Sequence, residues 1–367
     1  MPELTTSAKP RGWLRAADLG LRIGTLPSGR HGAITDVAGV AVGHHTVTAD
    51  ADPSVQTGIT IVVPHPGNVF SEKFLASCHV INGFGKSTGL VQVAELGQIE
   101  SPIALTNTFS IPAVTEGLLD VLLTENPDIG GRAGSVNTVV AECNDAFLND
   151  IRGRHVRREH VSLALADAST GPVRQGAVGA GRGMSAFGLK GGIGTASRLA
   201  GEAPQAIVGV LVLSNFCQLP DLVIAGRPVG MRLQQERSVS PPEASGGSII
   251  VVVATDAQVN ERQLGRLARR VQNGLALTGS STAHYSGEIV IAFTTSVRIP
   301  HRAAEQTFGV PTLREDSRLL DPLFQAVTEA TEEAVLNSLF NAETVVGHGG
   351  ARYEAFPIER LPELLAT

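Results

Sequence analysis

The sequence predicts a layered α/β sandwich, in which β-sheets lie between layers of helices. Its apolar strands do not alternate with polar residues, which is typical of strands covered on both faces. The clearest example is the run Ile-Ile-Val-Val-Val-Ala at 249–254. Other segments carry apolar residues at three- and four-residue spacing, which predicts helices with one buried face.

The elements follow from these two periodicities. Continuous runs of β-branched and aliphatic residues predict strands at 57–64, 103–106, 138–142, 206–214, 249–254 and 289–293. Helical spacing predicts helices at 90–96, 114–123, 259–275 and 319–339. We expect residues 1–12 to form a flexible arm, the glycine-rich stretch 176–194 to be an irregular loop region, and 233–245 to be a linker.

Composition narrows the function classes. The chain has 367 residues, of which 43% are hydrophobic and 17% charged, enough apolar material for a large core. A net charge of −6 and an aromatic content of 4% argue against nucleic acid as a partner. No apolar run reaches the roughly 18 residues of a membrane span, and no signal segment precedes the polar start. Three widely spaced cysteines suit a reducing compartment, so we expect a cytoplasmic protein.

Three motifs that suggest cofactors or metals are incomplete. Residues 85–87 (Gly-Lys-Ser) lack the earlier glycine of a phosphate-binding loop, and 179–183 lack the third glycine of a dinucleotide fingerprint, where Met184 stands. His155 and His160 are five residues apart, which does not place both on one helix face. We therefore predict neither a cofactor nor a metal.

The segment Gly246-Gly247-Ser248 places a hydroxyl directly before a buried strand. The strand fixes the backbone of Ser248, while the glycines leave the carbonyl of Gly247 uncrowded. Cleavage between Gly247 and Ser248 would put a hydroxyl and a free amine on one residue, a nucleophile with its own base. Taken alone, the same residues also fit a glycine turn with Ser248 hydrogen-bonded locally.

With its other motifs, the chain resembles the L-aminopeptidase / D-esterase-amidase family, which includes the β-peptidyl aminopeptidases. The resemblance covers nearly the whole length. It rests on blocks in the family's order: Ala33–Val37, Val42–His44, Asn82–Lys86, Leu105–Thr108, Glu142–Asp145, Leu148–Asp150, Gly176–Gly181, Gly191–Ser197, Gly247–Ser248 and Ser286–Glu288.

The resemblance implies a four-layer αββα sandwich of the self-processing N-terminal-nucleophile type. It implies a single domain over 1–367 that cleaves itself into 1–247 and 248–367. It also implies a homo-oligomer, a tetramer of cleaved pairs, that acts on small peptides or amides without a cofactor, nucleic acid or membrane.

Site residues are carried over by position in the family's motifs. Ser248 matches the nucleophile, whose new amine accepts a proton, and Ser286 and Glu288 match residues that orient this amine. Asn215 matches an asparagine of the oxyanion hole, and Glu142 an acid that holds the substrate's free amine. The implied reaction removes an N-terminal L-, D- or β-amino acid from peptides, amides or esters through a seryl acyl-enzyme.

Structural interpretations stay open for these positions. Glu142 fits a paired acid at a strand end, and Asn215 fits a turn former. Ser286 and Glu288, two residues apart, would face the same side of a strand and also fit its solvated first residues.

Two other functions fit the same fold. One is an acyltransferase resembling ornithine acetyltransferase, although that family uses a threonine where Ser248 stands. The other is a non-catalytic assembly protein. The chain also departs from some family members, which carry a tyrosine just after the Glu142 equivalent. Asn144 and Phe147 occupy that segment and supply no phenol.

Overall fold

The structure, a computed structural model, describes residues 9–203, 205–236 and 247–366. Its strands are β1 (Ala41–Ala49), β2 (Asp52–Val63), β3 (Glu72–Gly83), β4 (Gln98–Ile99), β5 (Ile103–Asn107), β6 (Val139–Cys143), β7 (Ser185–Ala186), β8 (Leu189–Lys190), β9 (Gly192–Ala200), β10 (Ala206–Asn215), β11 (Ser248–Thr255), β12 (Gly287–Pro300), β13 (Val345–Val346) and β14 (Arg352–Tyr353). Its α-helices are α1 (Leu90–Leu96), α2 (Ile111–Glu125), α3 (Glu159–Ala166), α4 (Val229–Glu236), α5 (Glu261–Leu277), α6 (Leu320–Phe340) and α7 (Leu361–Leu365).

Two sheets form the centre of the molecule. The larger has the strand order β4-β3-β12-β11-β10-β9 and the smaller the order β1-β2-β5-β6. Each contains one parallel pair, β11 with β12 and β5 with β6, and the other neighbours are antiparallel. The start of β11 therefore lies at the same edge of its sheet as the start of β12.

Alternate side chains of β11 enter two different cores. Ile249 and Val251 pack in the core shared with α5 and α6, whereas Ile250 and Val252 pack in the core between the two sheets. On the far side, α2 and α3 cover the outer face of the smaller sheet. The order helix, sheet, sheet, helix confirms the αββα sandwich, and burial on both faces explains why β11 shows no polar alternation.

Local signals place the longer helices correctly. For α5, the side chain of Asn260 accepts a hydrogen bond from the backbone N–H of Gln263, which caps the first turn. The apolar face predicted for this helix is buried, including Leu264 and Val271. Helix α1 has the predicted bounds, and α6 differs from its prediction by one residue at each end.

Several sequence predictions need correction. Strand β3 was not predicted, and the stretch 176–194 contains β7, β8 and the start of β9. Arg11 donates hydrogen bonds to backbone carbonyls near the end of α6, so residues 9–12 are not a free arm. Helix α4 occupies 233–236, where we expected a linker; residues 1–8 and 237–246, including Gly246, lie outside the described residues.

Candidate active site

A cavity of about 610 Å³ lies where the edges of the two sheets meet. Its lining includes all of the residues predicted to form the site: Glu142, Asn215, Gly247, Ser248, Ser286 and Glu288. The sequence positions of these residues range from 142 to 288. The pairing of β11 with β10 and β12 brings together those on the larger sheet, and Glu142 reaches the cavity from β6 on the smaller sheet.

Ser248 is the first residue of β11 and is 7% exposed. Its Oγ accepts a hydrogen bond from the N–H of Gly287 at 3.2 Å, and the same N–H donates to the carbonyl oxygen of Gly247 at 3.1 Å. A Cβ on Gly247 would lie 2.6 Å from the Cα of Phe216, so only glycine fits at this position. The carbonyl before Ser248 is therefore polarised by an N–H donor, and the close approach of Phe216 requires glycine at position 247.

Ser286 and Glu288 flank Gly287, which is the register partner of Ser248. The hydroxyl of Ser286 donates to Oε1 of Glu288 at 3.0 Å, which confirms that both side chains lie on one face. Both are buried, at 2% and 1% exposure, so the interpretation as solvated first residues of a strand is wrong. Burial raises the pKa of the Glu288 carboxyl, and hydrogen bonds from hydroxyl groups partly offset that rise.

Asn215 ends β10, directly opposite Ser248 in the register. Its Oδ1 accepts from the backbone N–H of Ser185 at 2.8 Å, and its Nδ2 donates to the carbonyl of Asn144 at 2.9 Å. Neither bond is local in the sequence, which contradicts a turn-forming role. An amide nitrogen carries two N–H donors, so one remains for a group in the cavity.

Glu142 lies on β6, is 2% exposed and reaches the cavity from the smaller sheet. One carboxylate oxygen accepts from the backbone N–H of Lys86 at 2.9 Å, and the other accepts from the hydroxyl of Thr108. Within 9–203, 205–236 and 247–366, the ion pairs all involve other carboxylates, so Glu142 is not a paired acid. A buried carboxylate with only neutral donors is a suitable receptor for an ammonium group.

Sequence reasoning assigned no role to several residues that complete the site. Thr108 follows β5, the parallel neighbour of β6, and this topology is a signal that could have placed it beside Glu142. Lys86 acts through its backbone N–H and Ser185 through its own, and no side-chain motif could have shown either contact.

The segment after Glu142 supplies packing and one backbone acceptor. Asn144 contributes the carbonyl that holds Asn215, and the ring of Phe147 lies 4.5 Å from the ring of Tyr353 at the cavity wall. The cavity wall nevertheless carries two phenols, from Tyr285 and from Tyr353 on β14. Cys217 also lines it, but burial raises the pKa of its thiol to about 12, so the thiol is neutral near pH 7.

Neither a metal cluster nor a membrane span is found in the described part of the chain. No group of three or more His, Cys, Asp or Glu side chains in these ranges could hold a metal ion. None of the helices described there is long and apolar enough to cross a membrane.

The molecule is an αββα sandwich in which Ser248 begins a central strand and Glu288 lies on the parallel neighbouring strand. This combination of fold and site defines a hydrolase of the N-terminal-nucleophile fold class. The sequence model of peptidase family S58 matches residues 32–353, and the chain belongs to that family. It is therefore a serine-type peptide hydrolase with an aminopeptidase or amidase function.

Three relatives illustrate the match. The chain is 38% identical to the β-peptidyl aminopeptidase BapA of Sphingosinicella microcystinivorans, over 95% of this chain and 89% of that protein. The crystal structure of the PH0078 protein of Pyrococcus horikoshii OT3 superimposes with a TM-score of 0.90 at 46% identity, covering 96% and 98% of the two chains. The L-aminopeptidase D-Ala-esterase/amidase of Ochrobactrum anthropi, described as a variant of the Ntn hydrolase fold, gives 0.87 at 35% identity with the same coverage.

Proposed function

We propose that the chain cleaves its own Gly247–Ser248 bond, and that Ser248 then removes the N-terminal residue of small peptides, amides or esters. One observation carries this proposal. The carbonyl of Gly247 and the hydroxyl oxygen of Ser248 share the N–H of Gly287 at the floor of the cavity. A nucleophile, a polarised carbonyl and an oxyanion donor are thus in one place.

The self-cleavage begins when Oγ of Ser248 adds to the carbonyl carbon of Gly247. The N–H of Gly287 stabilises the oxyanion that forms. The hydroxyl proton passes through the Ser286–Glu288 pair to the nitrogen of Ser248, and the bond from that nitrogen to the carbonyl carbon breaks. Water hydrolyses the resulting ester, which leaves a carboxyl group on Gly247 and a free α-amine on Ser248.

Turnover uses the same groups with a new base. A free α-amine has an ordinary pKa of about 8, so it can accept the proton of the Ser248 hydroxyl near neutral pH. Ser286 and Glu288 orient this amine. The free N–H of Asn215 binds the developing oxyanion, and Glu142 binds the ammonium group of the substrate. Oγ of Ser248 adds to the substrate carbonyl, and the protonated α-amine gives its proton to the departing amine or alcohol as that bond breaks. Water then hydrolyses the seryl ester, which releases the N-terminal residue and restores the Ser248 hydroxyl.

The proposed substrates share a free amino group that a short carbon chain separates from the carbonyl to be attacked. Two relatives are named for β-peptides and for L-aminopeptidase with D-alanine esterase or amidase activity. In this proposal Glu142 binds the substrate's amino group and Asn215 binds its carbonyl oxygen. Neither residue contacts the carbon between these two groups. This supports acceptance of L-, D- and β-residues by one site.

The fragments 1–247 and 248–367 would remain associated as one domain. Strands β11 and β12 come from the second fragment and pair with β10 and β3 from the first, in the middle of the larger sheet. We propose that the cleaved pairs assemble further into a homo-oligomer, a tetramer. A cytoplasmic location is also proposed, and it is supported by three cysteines that are all unpaired.

Intact-mass measurement of the wild type and of Ser248→Ala tests the proposal. We expect fragments 1–247 and 248–367 from the wild type, one full-length chain from Ser248→Ala, and hydrolysis of an amino-acid p-nitroanilide by the wild type only. Ser317→Ala, which removes a hydroxyl from a loop outside the cavity, is the matched control and should cleave normally. An intact wild-type chain that still hydrolyses the substrate would contradict self-cleavage. An intact and inactive chain would contradict the whole proposal.

A further inference from the structure

Thr282 combines backbone strain with a hydrogen bond to a buried carboxylate of the cavity. Its φ is +57°, in the left-handed region that a β-branched residue rarely adopts. Its hydroxyl donates to Oε2 of Glu288 at 3.0 Å. Strain of this kind persists only where the surrounding structure enforces it, and it is concentrated at functional sites.

The loop around Thr282 is held on both sides. Before it, Gly279 has a φ of +102°, and a Cβ there would lie 1.7 Å from the carbonyl oxygen of Asp221. After it, the side-chain amide of Asn82 donates to the carbonyls of Ala283 at 3.2 Å and His284 at 2.9 Å. These contacts fix the path of the loop, so the orientation of the Thr282 hydroxyl is built into the fold.

We propose that Thr282 is a positioning residue that holds the Glu288 carboxylate ionised and correctly oriented toward Ser248. The inference rests on the proposed function, because it presumes that Glu288 acts as a carboxylate. Ser286 binds one oxygen of Glu288, and Thr282 binds the other. Glu288 is 1% exposed, so water cannot easily replace a missing donor.

The inference predicts a change in pH dependence with a definite sign. Burial raises the pKa of Glu288, and the hydroxyl donors lower it. Without the Thr282 hydroxyl this pKa rises further, so Glu288 stays protonated, and self-cleavage stays slow, up to a higher pH. The other carboxyl, thiol and basic groups lining the cavity would be unchanged in the variants: Lys86, Glu142, Cys217, Asp221 and His284.

Three substitutions separate the hydroxyl from the strain. Thr282→Val keeps the branched Cβ and removes the hydroxyl, whereas Thr282→Gly removes the hydroxyl and relieves the strain. Both should move the acidic limb of the self-cleavage rate, measured as fragment formation before the Ser248 amine is free, upward by about one pH unit. KM should change by less than about twofold, because Thr282 does not bind substrate. Thr282→Ser should restore the wild-type profile, and Thr312→Val, at an exposed threonine, should match the wild type.

An acidic limb that does not move in Thr282→Val and Thr282→Gly would overturn the inference. If Thr282→Val fails to fold, Thr282→Gly decides alone, and a wild-type profile in that variant would show that Thr282 acts only on the loop backbone. The proposed function fails separately, if the wild type does not cleave at Gly247–Ser248. A wild type that cleaves, with unshifted Thr282 variants, would contradict only the inference.

Discussion

Glu288 and Glu142 are both buried and face the same cavity, but they lie on different sheets and have different partners. Glu288 accepts from the hydroxyls of Ser286 and Thr282, whereas Glu142 accepts from the backbone N–H of Lys86 and one hydroxyl. A hydroxyl can rotate and can also accept a proton, which a backbone N–H cannot. The surroundings of Glu288 therefore suit proton exchange, and those of Glu142 suit a fixed ammonium ion.

The largest effect is expected at Glu288, because it is proposed to act in both reactions. Glu288→Gln removes the carboxylate while keeping the shape of the side chain. Self-cleavage should slow, and kcat/KM of any cleaved enzyme should fall at least about 100-fold. Fragment formation followed by mass, and p-nitroanilide hydrolysis, measure the two losses.

Glu202→Gln, at an exposed glutamate outside the cavity, is the control for Glu288→Gln and should behave as the wild type. Normal self-cleavage in Glu288→Gln would remove the first of the two roles and make Glu288 similar to Glu142.

A smaller and more selective effect is expected at Glu142. Glu142→Gln should lower kcat/KM roughly 10- to 100-fold, the value of a lost hydrogen bond to a charged group. Self-cleavage should proceed normally, because the Gly247–Ser248 bond has no free amine next to it. The wild type should also discriminate strongly against an N-acetylated substrate, and the variant should lose most of this discrimination.

Slow self-cleavage in Glu142→Gln would contradict the separation of roles between the two carboxylates. Equal discrimination by variant and wild type would show that the substrate amine binds elsewhere.

The smallest effect on activity is expected at Asp145, behind the Glu142 side of the cavity. Asp145 is 1% exposed, and burial raises the pKa of its carboxyl to about 6, although Thr57 and Asn149 donate to it. Because the folded-state pKa lies above the unfolded value, its contribution to stability is present at low pH and is lost as pH rises to about 6.

Relative to Asp145→Asn, the wild type should therefore lose about 2 kcal/mol of unfolding free energy between about pH 4 and pH 7. Urea unfolding at several pH values measures this difference. A difference that does not change with pH would show that Asp145 titrates normally in the folded chain.

Periodicity predicted most of the elements that form the two sheets. The glycine pair before a buried strand indicated Ser248, and the resemblance to a family supplied the other four site residues, Glu142, Asn215, Ser286 and Glu288. Strand β3 was missed because its sequence mixes polar with apolar residues. Near its end lies Asn82, which holds the loop of Thr282. The corrected residues 9–12 illustrate another limit: Arg11 is tied to carbonyls more than 300 positions away, which composition cannot indicate.

By itself, the sequence determined that a glycine pair precedes Ser248 and that Ser248 begins a buried strand. That only glycine fits at 247 follows from a tertiary contact with Phe216. Apolar runs and glycines act locally, so their consequences can be read from neighbouring residues. Only the tertiary structure decided which donors surround the two carboxylates. Lys86 and Thr108 reach Glu142 across strands from distant parts of the chain, and Thr282 reaches Glu288 from a strained loop. These contacts depend on the order of strands and on loop paths, which no local pattern encodes.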